Sequence, residues 1–123
     1  MNRFSFGDTA ALADDLLALV LAGTKTATCW SVAAGPPPAA IGEQAIVLDS
    51  AGRDRVVVET VGIEQCRFDA VGAAFAFAEG EGDRSLAQWR AGHRRFFERN
   101  GGFDPAMPLW CERFRLIAVL PMD

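Results

Sequence analysis

Lysine is nearly absent from this chain: Lys25 stands alone against eleven arginines in 123 residues. Arginine evidently serves wherever a generic positive charge is enough. Lysine has a compact head and a pKa that burial can move. The place of Lys25 in the turn Gly23-Thr24-Lys25-Thr26-Ala27-Thr28 therefore marks it as a candidate functional residue. Histidine is as scarce, with His93 the only one, and cysteine supplies three scattered thiols, Cys29, Cys66 and Cys111. No metal-ligand spacing links them, and an odd, dispersed set of thiols builds no disulfide framework. Buried or semi-buried thiols, no metal and no cofactor are expected. Long apolar runs are missing too. None reaches the roughly 18 residues that a membrane span needs. The segment Met1-Asn2-Arg3-Phe4-Ser5-Phe6-Gly7-Asp8 lacks the hydrophobic stretch of a signal peptide. The expected location is cytoplasmic, without a membrane partner.

Positive charge is short overall, with a net charge of −4. Non-specific nucleic-acid binding draws on basic charge, so tight non-specific binding to long RNA is not expected. A nucleoside, a nucleotide or a short RNA suits this charge better. What is present is a chain half apolar and under a quarter charged. That composition and length fit one globular domain, residues 1–123.

The order of elements follows from periodicity and punctuation. Asp8 or Thr9 caps a helix to about Ala22, with Leu12, Leu16, Leu19 and Val20 on one face and Gly23 as its stop. Thr24 to Ser31 favours a strand. A loop holding Pro36-Pro37-Pro38 leads to a hairpin: Gln44–Asp49, the turn Ser50-Ala51-Gly52, and a long return strand Arg53–Arg67. The run Val56-Val57-Val58 reads as buried on both faces, and Gly62 as a bulge. Asp69 is the expected cap of a helix Ala70–Ala78 that buries Val71, Ala74, Phe75 and Ala78. Ser85-x-x-Gln88 is a capping box opening a second helix at Leu86. That helix carries Leu86, Trp89, His93, Phe96 and Phe97 on one face, so His93 reads first as a core histidine. A last strand runs from Leu109 to Leu120. It places Glu112 among apolar neighbours, where an ion pair with an arginine is expected, with a reach into the cavity as the alternative. Strands interrupted by a helical pair give an α+β fold, a small mixed β-barrel with helices at one side.

One stretch exceeds what a loop needs: Glu79-Gly80-Glu81-Gly82-Asp83-Arg84, three acids on a glycine-hinged turn just before the capped helix. Together with Gly23-x-Lys25-x-x-Thr28, Gly42-Glu43, the continuation Ser85-Leu86-x-x-Trp89-Arg90-x-x-His93-x-x-Phe96-Phe97 and Cys111-Glu112-Arg113-Phe114, it makes the chain resemble an ASCH domain of the PUA-like superfamily. The resemblance spans nearly the whole chain. It implies a PUA-like barrel with a cleft against the helices, lined by the Gly-x-Lys turn. ASCH domains are generally proposed to bind RNA or nucleotides. One branch hydrolyses the amide of N4-acetylcytidine with a lysine, a threonine three residues on and a glutamate before a helix. On this sequence these are Lys25, Thr28 and Glu81. Another branch cleaves RNA. This chain carries the longer Glu-Gly-Glu-Gly-Asp motif and is somewhat larger than the amidohydrolase branch.

The expected site thus has Lys25, Thr28 and Glu81 as its reactive groups. Gly23, Thr24, Thr26, Trp30, Glu79, Asp83, Arg84, Trp89 and His93 surround them as ligand-binding residues. For amide hydrolysis, a threonine hydroxyl needs a base to take its proton. Lysine serves only if its pKa is lowered, whereas pairing with Glu81 would raise it and make Glu81 the better base. The sequence leaves both assignments open. Without catalysis the same residues would grip a base edge, with Trp30 or Trp89 stacking on it. A metal-independent ribonuclease would need Glu81 or His93 as base and Lys25 with Arg84 or Arg90 on phosphate. An acidic turn opposes that arrangement.

Overall fold

A computed structural model describes residues 1–122. Two long strands form its spine. β4 (Asp54–Arg67) and β5 (Pro108–Val119) run antiparallel along nearly their whole length. β3 (Gln44–Leu48) joins β4 through the expected hairpin, and β2 (Ala27–Ser31) lies antiparallel to β5. The three-residue β1 (Asn2–Phe4) pairs parallel with β3 and has no strand signature in the sequence. The order β1-β3-β4-β5-β2 makes one five-stranded sheet, so the mixed barrel expected from the sequence is a curled half-barrel with β1 and β2 as its edges. The curl coincides with two register breaks. One leaves Val61 as the extra residue between the pairs Thr60–Phe114 and Gly62–Arg113; the other lies between Val57 and Val58. An extra residue bends and twists its strand.

Three helices flank the sheet. In α1 (Ala10–Leu21), the Thr9 hydroxyl accepts the Leu12 N–H at 3.1 Å, which settles the cap in favour of Thr9 over Asp8. Gly23, with φ +77°, closes the helix: its N–H reaches the Val20 carbonyl, and the next amide that of Leu19. α2 is shorter than expected, Ala73–Glu79, because Phe68–Ala70 forms a separate 3-10 turn and Gly72 is the cap. Ala74 consequently faces solvent, while Phe75, Ala76 and Ala78 are buried. α3 (Leu86–Arg99) begins at the Ser85 cap, but the capping box is rearranged. Gln88 accepts from the Asp83 amide, and Asp83 takes the Ser85 amide.

Each face of the sheet carries its own core. Phe6, Leu16, Leu17 and Val20 pack with Val47, Val56, Val58 and Phe114 on the α1 side. Phe68, Phe75, Trp89 and Phe97 pack with Ala27, Leu109 and Cys111 on the α2–α3 side. Val57 is only half-buried, so the valine run alternates and is not buried on both faces. The openness of the half-barrel explains the difference: β4 is a central strand, but only closed or helix-covered strands lose both faces. Glu112 also differs from expectation. It is buried, yet it accepts from Trp30 Nε1 at 3.1 Å and from the Thr60 hydroxyl at 2.7 Å, with no arginine. Two neutral donors satisfy the carboxylate in place of an arginine. Among the described residues no helix is long and apolar enough to cross a membrane.

Candidate functional site

Two turns that are far apart in sequence lock face to face. The first follows α1 and carries Thr24 and Lys25; the second follows α2 and carries Glu79, Gly80 and Glu81. The Thr26 amide donates to the Ala78 carbonyl at 2.8 Å. Arg84 clamps the pair from outside. Its guanidinium lies 3.4 Å from the Phe77 ring centroid and donates to the carbonyls of Phe77 and Thr24. Arg84 is the one non-glycine residue with positive φ, +66°, among those described, and these contacts hold it there. Gly80 has φ +76°, and a Cβ at this position would lie 2.6 Å from the Thr24 oxygen. Only glycine lets the two backbones approach so closely.

This docking buries Lys25 almost completely, at 2% exposure. All three of its N–H donors are used: on Glu79 Oε1 at 3.2 Å, on Glu81 Oε2 at 3.2 Å and on the Glu79 carbonyl at 3.4 Å. Glu79 is buried to 1%. Its other oxygen accepts Trp89 Nε1 at 2.6 Å and lies 3.3 Å from His93 Nε2. His93 stacks on Trp89, with ring centroids 4.3 Å apart. Its Nδ1 is 2.9 Å from the Trp89 carbonyl, an acceptor only, so Nδ1 carries the proton. Burial opposes charge on all three groups, but mutual attraction wins. Glu79 is held well below the usual carboxylate range by Lys25 and His93. Lys25 is raised by Glu79 and then Glu81, and His93 is raised by Glu79. A lysine with a raised pKa and no spare donor is an anchor, not a proton acceptor. Cys29 moves the opposite way from Glu79: burial and the Glu79 charge push its thiol well up.

The His93 shift has a measurable consequence. The groups facing it are Glu79 and Glu81, both also bound by Lys25, and the Cys29 thiol within 4.8 Å. Folding favours protonated His93, so its contribution is fully present below the free-histidine pKa of about 6.5. That contribution is lost as pH rises through the higher folded value. Unfolding free energy from urea titrations should therefore decline from pH 6 toward alkaline pH, and His93→Gln should flatten the slope. An equal slope in both proteins would mean that His93 carries no linked proton.

Beside this cluster lies a cavity of about 610 Å3 between α1, β2 and α3. Of the residues expected at the site, Lys25, Thr28, Trp30, Glu79, Glu81, Trp89 and His93 line it. Gly23, Thr24, Thr26, Asp83 and Arg84 do not; they build the two turns. Thr28 is 7% exposed, and among the described residues its hydroxyl has no hydrogen-bond partner but keeps some surface, which opens into the cavity. Glu81 is half-buried and commits one oxygen to Lys25, leaving the other for a ligand. Trp30 is tied to Glu112, and one face of Trp89 is covered by His93. Phe6, Leu16 and Leu19 supply an apolar wall. Sequence reasoning missed Phe6 and Cys29 as lining residues. Phe6 sits before the first helix with no motif around it, and Cys29 was hidden by its lack of paired ligands at close spacing.

A curled five-stranded sheet flanked by three helices, with a Gly-x-Lys turn docked on an acidic glycine turn beside a cavity, defines a class of small α+β domain. The chain belongs to the ASCH domain family, whose model matches residues 2–118. It is similar to the crystal structure of an ASCH domain from Lactobacillus crispatus JV V101. That match has 28% identity and a TM-score of 0.85, and covers 94% of this chain and 79% of the other. It is also similar to a protein from Enterococcus faecalis V583, with 29% identity, a TM-score of 0.86, and coverage of 97% and 77%. A hypothetical protein at 14% identity and a TM-score of 0.62 shares the fold alone. No curated protein matches the chain.

Proposed function

We propose that the cavity binds a nucleoside, free or as an exposed base of a short RNA, and reads it with Thr28 and Glu81. The observation that supports this most is the division of labour in the cleft. Lys25 is consumed within the protein, whereas the Thr28 hydroxyl and one Glu81 oxygen open into a walled cavity. A hydroxyl and a carboxylate on the wall of one cavity suit the N–H and carbonyl edge of a base. Two acids against one lysine disfavour a phosphate at that depth. The volume and the apolar wall fit a small organic ligand, and a half-open cavity with Glu79 and Glu81 on its wall differs from the open basic groove that long RNA requires. Membership in a family generally proposed to bind RNA or nucleotides points the same way.

Calorimetric titration with cytidine, uridine, adenosine and N4-acetylcytidine tests the reading. Binding of at least one is expected, and Glu81→Gln should lower its affinity by about tenfold or more through loss of a charged hydrogen bond. The melting temperature should change little, because Glu81 is partly exposed. A wild-type protein that binds none of the four, and a short RNA no better, would sink the proposal. The unpartnered Thr28 hydroxyl favours one second reading, hydrolysis of an N4-acylated cytidine. In that reaction Glu81 is the base, directly or through water, because Lys25 keeps its proton and stabilises charge. Acetate release by wild type that survives in Glu81→Ala would remove that assignment.

A further inference from the structure

Three ligand-type atoms converge on the wall of the cavity from elements that the sequence keeps far apart. Cys29 comes from β2, Glu79 from the end of α2 and His93 from the middle of α3. One ligand atom of each lies within 4.8 Å of the other two. We propose that Cys29, Glu79 and His93 form a binding site for one divalent transition-metal ion of the zinc type. The inference does not depend on the nucleoside reading, since it concerns the ion alone.

The geometry is close to what zinc takes. Zinc bonds of about 2.0–2.3 Å to nitrogen, oxygen and sulfur set tetrahedral edges of roughly 3.3–3.6 Å. The edge from His93 Nε2 to Glu79 Oε2 is already 3.3 Å. The Cys29 thiol lies within 4.8 Å of both partners, so closing the triangle to roughly 3.6 Å takes a shift of about 1 Å, within reach of a χ1 adjustment. The outer shell is also in place. The Trp89 carbonyl takes the proton on His93 Nδ1, which leaves Nε2 as the coordinating nitrogen. Trp89 Nε1 donates to Glu79 Oε2 and orients that carboxylate. Lys25 is the obvious opponent, yet it sits on the opposite oxygen, Glu79 Oε1. The charges then balance: Glu79, Glu81 and a Cys29 thiolate carry three negative charges, and Lys25 with a divalent ion carries three positive. A hard ion such as magnesium or calcium does not fit a thiolate and an imidazole. Three protein ligands leave a fourth position, and all three residues line the cavity. That is the pattern of zinc sites that hold water or substrate rather than of closed structural ones.

Zinc competition against a chromophoric chelator, run under reducing conditions with full-length protein, tests the site. One zinc per chain is expected to be retained. Cobalt substitution should give intense visible bands of a tetrahedral site and a near-ultraviolet thiolate-to-cobalt band. Cys29→Ser should abolish the near-ultraviolet band and weaken zinc binding by about tenfold or more, and His93→Gln should weaken it similarly. Cys66→Ser, at a thiol outside the triad, should change neither. Far-ultraviolet circular dichroism confirms that each variant is folded. Failure of wild type to retain zinc against the chelator overturns the proposal. So does wild-type affinity in both Cys29→Ser and His93→Gln, which would mark the metal as adventitious.

Discussion

Lys25→Met is expected to cost about 3–5 kcal/mol of unfolding free energy, because it leaves the buried Glu79 carboxylate without its ammonium partner and with His93 alone to balance it. The side chains of both partners are 1% exposed, so water cannot take over the role of Lys25. Methionine keeps most of the volume and the unbranched shape, which confines the change to the charge and its three hydrogen bonds. The double variant Lys25→Met, Glu79→Gln should recover on the order of 1–3 kcal/mol, since the uncompensated charge is gone. Urea denaturation of the two singles and the double gives the coupling directly. A cost below about 1 kcal/mol for Lys25→Met would place the pair in the class of exposed ion pairs and would contradict the buried geometry. Arginine is not expected to rescue. Its planar fork is broader than an ammonium and cannot meet two carboxylates and a carbonyl from one point.

Gly80→Ala is the second large effect, expected at about 3 kcal/mol. Two terms combine: a left-handed backbone that costs an L-residue about 1–2 kcal/mol, and a Cβ pressed against the Thr24 carbonyl at 2.6 Å. Gly52 supplies the control. It has nearly the same dihedral, φ +77°, but nothing lies within 4 Å of its would-be Cβ. Gly52→Ala should therefore cost only the backbone term, about 1 kcal/mol. Equal losses at the two glycines in thermal or urea melts would show that the close approach of the two turns contributes nothing. Gly80→Ala should also weaken any ligand that depends on Glu81, because the same turn aims that carboxylate.

Legibility in the sequence followed the range of the interaction concerned. Local signals were sound. The Ser85 cap starts α3 and Gly23 ends α1, because hydrogen bonds between residues three or four apart fix these boundaries. The hairpin of β3 and β4 and the final strand came from alternation and turn residues. The short parallel strand β1 did not, since three residues carry no period and the pairing depends on β3, more than forty positions away. The Asp69 cap gave way to a 3-10 turn whose amides bond to Met107 and Pro105, contacts that no local pattern announces. His93 was readable as an apolar-face histidine. Its three-way contact with Trp89, Glu79 and Glu81 was not.

The sequence by itself determined the α+β class, the family resemblance and the rarity that singled out Lys25 and the acidic glycine turn. These are properties of composition and short-range spacing, which a linear chain displays. Only the tertiary structure decided which acid does what. Glu79, expected only as a ligand-binding neighbour of the reactive groups, is the buried centre of the cluster, while Glu81 reaches both the lysine and the cavity. The two residues differ by one glycine in the chain. They differ in role because α2 ends between them: the last helical residue points into the core, and the left-handed glycine after it turns the next side chain toward the cleft. The same docking of two turns brings Cys29, Glu79 and His93 together, a grouping that no spacing rule could have found.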